Sequence, residues 1–126
     1  MRPEAQRQES GAAFHVKLPL PPSANKLFAN VPGKGRVKTK AYRNWRKNAV
    51  LTIYAQVRAD RRIGGPVDLE FCVPDGMRGD LDNRLKATID ALVASNRIDD
   101  DKHVHRITIV RGGADAGTVL VTAVAA

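Results

Sequence analysis

Apolar and polar residues alternate along Phe14-His-Val-Lys-Leu18, the period of a strand with one buried face. Pro19, Pro21 and Pro22 end that run, because proline cannot donate to a ladder. Residues 23–39 show no period, and with the turn-rich Val31-Pro-Gly-Lys-Gly35 they read as a mobile basic loop. From Lys40 to Asp60 the spacing changes to threes and fours. Tyr42, Trp45, Ala49, Val50, Ile53, Tyr54 and Val57 make one apolar helix face, which assigns Tyr42 and Trp45 to the core. Val67–Val73 alternates again and predicts a strand. Leu81, Leu85, Ile89, Leu92 and Val93 predict a second helix from Asp80 to Ser95, with Asp80 as N-cap and Asn96 as a left-handed C-cap. Val104–Val110 and Thr118–Val124 read as strands joined through Gly112–Gly117 as a hairpin. The expected order is β-α-β-α-β-β in one small α+β domain over residues 14–126, a sheet with helices on one face. Residues 1–13 read as a disordered tail.

With 126 residues and 43% hydrophobic content the chain can bury a single core. No apolar run approaches the roughly 20 residues of a membrane helix, and the polar N-terminus lacks a secretory core, so no membrane partner and a cytoplasmic location are expected. The lone Cys72 offers neither an internal disulfide nor a zinc pair.

Charge sharpens the picture. The net charge is +8, and residues 34–62 hold ten Lys or Arg against Asp60 alone. Such density attracts polyanions. A solvated basic face would also explain it, but the density favours nucleic acid and nominates Lys34, Arg36, Lys38, Lys40, Arg43, Arg46 and Lys47 as contacts, with Ser23 and Asn25 after the proline turn either further phosphate ligands or simply polar loop residues.

Against this basic background, six of thirteen carboxylates fall between Asp80 and Asp101. Asp82, Lys86 and Asp90 follow at i, i+4 and i+8 along one helix ridge, which two surface ion pairs would explain. Asp80 and Asp82 in one turn equally suit a hard divalent cation, which takes carboxylate oxygens. Asp99-Asp100-Asp101 is either a solvated turn or, if Asp101 approaches the first pair, the third member of a metal site. His103 and His105 fall on one side of a strand and read as surface residues.

Asp80-Leu-Asp-Asn-x-x-Lys86, followed by Ile98-x-Asp100-Asp101-x-x-Val104 and preceded by Leu18-Pro-Leu-Pro-Pro-Ser-Ala-Asn25, resembles the RusA family of Holliday junction resolvases. The similarity runs from about Phe14 to Val124. It implies a small α+β homodimer that uses Mg²⁺ or Mn²⁺ to nick four-way DNA junctions symmetrically. The family's essential carboxylates correspond to Asp80, Asp82 and Asp101, its important lysine to Lys86, and Asp100 to a supporting acid. Asp99 is an extra acid to which the resemblance gives no role, and Phe28 stands where the family often has an aromatic. Two other readings fit the residues: a non-catalytic branched-DNA-binding protein, and a less selective metal-dependent nuclease acting on flaps, forks or RNA.

Overall fold

A computed structural model describes residues 12–126. The strands are β1 (Ala13–Pro19), β2 (Phe28–Val31), β3 (Gly35–Lys38), β4 (Val67–Val73), β5 (Val104–Arg111) and β6 (Thr118–Ala125). The helices are α1 (Lys40–Gln56), between β3 and β4, and α2 (Leu85–Ala94), between β4 and β5. The alternation expected of β1 and β4 is present: Phe14, Val16 and Leu18, and Val67, Leu69, Phe71 and Val73, are buried. These side chains join Tyr42, Trp45, Ala49 and Ile53 of α1 and Ala87, Ala91 and Leu92 of α2 in one core. The α+β class is therefore as expected. Of the expected tail over residues 1–13, residues 1–11 lie outside the described part, whereas Ala13 already belongs to β1, paired with Val124.

Four strands form a sheet in the order β1-β6-β4-β5. The expected β5–β6 hairpin does not form: β4 lies between the two, parallel to β5 and antiparallel to β6. The 112–117 loop instead passes the end of β4, where Gly112 N–H donates to the Val73 carbonyl at 2.7 Å. Gly112 and Gly113 have φ of 109° and 82° there, a conformation that favours glycine. β4 offers its backbone for pairing on both edges, and a local reading of the loop cannot see that competitor.

The stretch expected to be a mobile loop contains the β2–β3 hairpin, which pairs Phe28 with Lys38 and Asn30 with Arg36. Thr39 then caps α1, its Oγ1 accepting from Tyr42 N–H at 3.2 Å and donating to the Lys26 carbonyl at 2.7 Å. Trp45 is buried as expected, and its indole N–H reaches the Pro19 carbonyl at 2.9 Å, fixing α1 against the proline turn. α1 ends at Gln56 rather than near Asp60, because Val57 is extended and its carbonyl takes both Nε and Nη2 of the buried Arg97. Asn96 has φ 59°, the left-handed cap expected of it. Among the described residues no helix is long and apolar enough to cross a membrane.

Candidate active site

The acidic turn differs from the expected helix start. Leu81–Arg84 is a 3₁₀ turn, and α2 begins only at Leu85. Asp80 occupies the flanking extended position, yet its carboxylate makes no capping bond. Tertiary ties explain the difference. The Asn83 side-chain oxygen accepts from Ala24 N–H at 3.3 Å, and Arg84 Nη1 donates to the Pro21 carbonyl at 2.6 Å. The proline turn thus holds the acidic turn by two successive residues. From the other side Arg111 donates to the carbonyls of Met77, at 2.8 Å, and Gly79, at 3.3 Å. Gly79 has φ 92°, and a Cβ there would come within 3.1 Å of the Asn83 amide. A side chain at position 79 would therefore be strained and would push Asn83 from its place.

The expected ridge is broken by this turn. Lys86 faces Asp90 at 3.8 Å, an i,i+4 pair exposed enough to add only a few tenths of a kcal/mol. Asp82 makes no ion pair among the described residues, and neither does Asp80; both are exposed. Asp90 has a second partner that periodicity could not reveal. The buried Tyr42 donates its hydroxyl to Asp90 Oδ2 at 2.7 Å. Burial first, then this bond to a carboxylate, pushes the phenol above its ordinary range.

The second acidic stretch divides its labour. Asp99 binds Arg62 and accepts from Gly65 N–H at 2.8 Å, so it pins the loop before β4. Asp100 accepts from Lys102 N–H at 3.2 Å. Its carboxyl lies beside that of Asp101. This contact holds Asp100 below and Asp101 above the usual carboxylate range, with the charge of Asp90 a further influence on Asp101. His103 belongs to the 3₁₀ turn Asp101–His103 rather than to a strand, and His105 Nδ1 lies 2.9 Å from Asp68. The two histidines do not form the same-side strand pair that was expected.

Hard oxygen donors are the right chemistry for a Mg²⁺-like ion. Among the described residues, however, no three Asp, Glu, His or Cys side chains are grouped closely enough to hold a metal ion. Asp80, Asp82 and Asp101 are not drawn together as a ready-made site.

The basic residues divide into separate surfaces. Lys38, Arg43, Arg46 and Lys47 line a groove of about 610 Å³ with Val50, Leu51 and Ala94. Asn25 and Arg36 line a second cleft with Phe28. Lys34 and Lys40 are exposed beside these surfaces, and Ser23 is half-buried at the start of the 3₁₀ turn Ala24–Lys26 without a side-chain cap bond. Arg58 and Arg62 pair with Asp60 and Asp99.

An α+β chain that carries an exposed acidic turn and separate basic surfaces has the outline of a phosphodiester-cleaving enzyme. Residues 19–122 match the family model of endodeoxyribonuclease RusA. The crossover junction endodeoxyribonuclease of Enterobacteria phage 82 is 33% identical over 107 residues, covering 79% of this chain and 88% of that protein. The Escherichia coli K12 protein of the same name is 32% identical over the same shares. That of phage HK97 is 31% identical over 101 residues. The chain belongs to the RusA endodeoxyribonuclease family and is a nuclease.

Proposed function

We propose that this nuclease nicks four-way DNA junctions in a divalent-cation-dependent reaction, with Asp80, Asp82 and Asp101 holding Mg²⁺, or Mn²⁺ in its place. The observation that carries this reading is the acidic turn itself. Two exposed, unpaired carboxylates stand on a backbone clamped by Asn83, Arg84 and Arg111. Asp101 would join this pair as the third oxygen donor, and a bound cation would offset the repulsion among the three carboxylates.

When bound, the ion supplies a water of lowered pKa and positive charge for the phosphoryl oxygens. The chain supplies the rest. Lys86, held toward Asp90 at 3.8 Å, meets the scissile phosphate as a point charge. Asp100 keeps Asp101 in place. Attack in line with the departing 3′ oxygen leaves a 5′-phosphate and a 3′-hydroxyl. The groove lined by Lys38, Arg43, Arg46 and Lys47 takes the flanking backbone. A junction has near two-fold symmetry, so paired nicks call for two sites, which a homodimer provides. The free edge of β5, with Ile107 and Val110 exposed, is the face we assign to that contact. A cytoplasmic location, with the DNA, belongs to the same reading.

Incubation of the protein with a four-way junction, a fork, a flap, a linear duplex and RNA, each with and without Mg²⁺, tests this. Paired nicks in the junction alone, and only with metal, are expected. Asp82→Asn should abolish cutting and keep junction binding. Equal cutting of forks and flaps would replace junction selectivity with the broader nuclease reading. Binding with no cleavage under any divalent metal would refute the proposal.

A further inference from the structure

Leu51 and Tyr54 are the two most exposed large apolar side chains among the described residues, at 57% and 52%. They stand three residues apart on α1 and so share one ridge. Leu51 and Val50 line the groove of about 610 Å³ together with Ala94, at the end of α2. Tyr54 continues this apolar strip by one turn, and the Arg97 guanidinium lies 5.2 Å from the centre of its ring. The rest of the groove lining is cationic: Lys38, Arg43, Arg46 and Lys47, with no carboxylate beside them. None of the four forms an ion pair among the described residues. An exposed apolar strip rimmed by charge marks a surface that another molecule covers.

We propose that this groove docks a short acidic segment of a partner protein, with two apolar side chains of the segment covering Leu51 and Tyr54 and its carboxylates pairing with Arg43, Arg46 and Lys47. DNA phosphates would use the cations and leave the apolar strip in water. A segment that carries both carboxylates and apolar side chains satisfies both parts of the groove. Guanidinium groups also match carboxylates well, through two parallel N–H bonds. A second copy of this chain is the poorer occupant, because a two-fold contact through the groove would set the same four cations against one another. The inference goes beyond the nuclease reading and does not rest on it. Because that reading sends the DNA backbone to the same cations, segment and DNA would exclude each other.

The probe is a fluorescein-labelled peptide in which Asp and Glu residues flank a Leu-Phe pair, titrated by anisotropy against the full-length protein with no DNA present. Saturable binding is expected. Leu51→Ser should weaken it about tenfold or more, the range for leaving a leucine uncovered. Arg43→Ala combined with Lys47→Ala should weaken it by a similar factor. All three side chains are exposed, so the variants should fold, which circular dichroism checks. A control peptide with Ser in place of Leu and Phe should bind about tenfold more weakly. Equal binding of the two peptides, or no binding, overturns the proposal. Leu51→Ser should leave affinity for a four-way junction within about twofold. A matching loss for junction and peptide would make the strip part of the DNA surface and overturn the proposal. So would a dimer that Leu51→Ser converts to a monomer in sedimentation, since a second copy would then cover the groove. Unlabelled junction should displace the peptide. A junction that binds without displacing it leaves the docking surface standing and moves the DNA off the groove, which separates the failure of one reading from that of the other.

Discussion

Tyr42 shows how much one side chain can hold. It is fully buried, supports the Phe28 ring edge-on, and gives its hydroxyl to Asp90, which in turn faces Lys86. Tyr42→Phe keeps the packing and deletes the bond. A hydrogen bond to a charged group contributes about 1.5–3 kcal/mol, so urea unfolding should show a loss toward the lower figure, because Asp90 keeps some access to water. We expect kcat to fall several-fold with KM little changed, since Lys86 loses a fixed neighbour rather than its charge. An unchanged kcat would remove Tyr42 from the positioning of Lys86. The sequence placed Tyr42 in the core by spacing alone. It could not show the hydroxyl's partner, which lies 48 residues away. It also withheld a role from Asp99, which the structure uses to fasten Arg62 and Gly65.

Elements were legible where their periods were long. β1, β4 and both helices follow most of their apolar spacing, and Asn96 ends α2 as expected; Tyr54 and Leu81, expected on the buried stripes, are instead exposed, Leu81 because it lies in the 3₁₀ turn before α2. The misses have physical causes. β2 and β3 are four residues each and mostly polar outside, so their alternation carried too little contrast to distinguish them from loop. The 3₁₀ start before α2 is imposed by Asn83 and Arg84 reaching to the proline turn, a tertiary effect that local propensity does not contain. A further tie of this kind joins Asp115, in the loop before β6, to Lys17 of β1 at 2.5 Å. The Lys17 ammonium, by hydrogen bond and by charge, holds Asp115 below its ordinary range. A carboxylate depressed in the folded state adds stability above its unfolded pKa and loses it as pH falls through the folded value. Asp115→Asn should therefore lower the urea midpoint slightly at neutral pH. The gap should close below about pH 4, and shrink with salt. A gap that persists in acid would mean the asparagine perturbs the loop itself.

The whole molecule carries +8, yet its arginines differ in what they can reach. Arg84, Arg97 and Arg111 direct their guanidinium groups to backbone carbonyls, and Arg58 and Arg62 face carboxylates; Arg43 gives one N–H to the Lys38 carbonyl at 2.7 Å but stays exposed in the groove. On the proposed reading, phosphate contacts then fall to the groove residues. Each neutralised phosphate adds about 0.9 to the slope of log K against log salt. Replacing Lys38, Arg43 and Lys47 together with Ala should lower that slope by roughly 2–3, while Arg58→Ala, at a residue already paired with Asp60, should leave it nearly unchanged, both read by anisotropy titration across salt. An unaltered slope in the triple variant would put the DNA on another face. Sequence made the basic segment plain but presented it as one surface, because the turn into α1 and the extended exit at Val57 are set by contacts far along the chain.

The sheet order has a consequence for synthesis. Among the described residues β6 is the last strand in chain order, yet it stands between β1 and β4 and joins them. Until it emerges from the ribosome the earlier strands have no common neighbour, so closure of the sheet waits for translation to pass residue 125. Pairing Ala13 with Val124 spans almost the whole described chain, the kind of distant contact that makes folding slow.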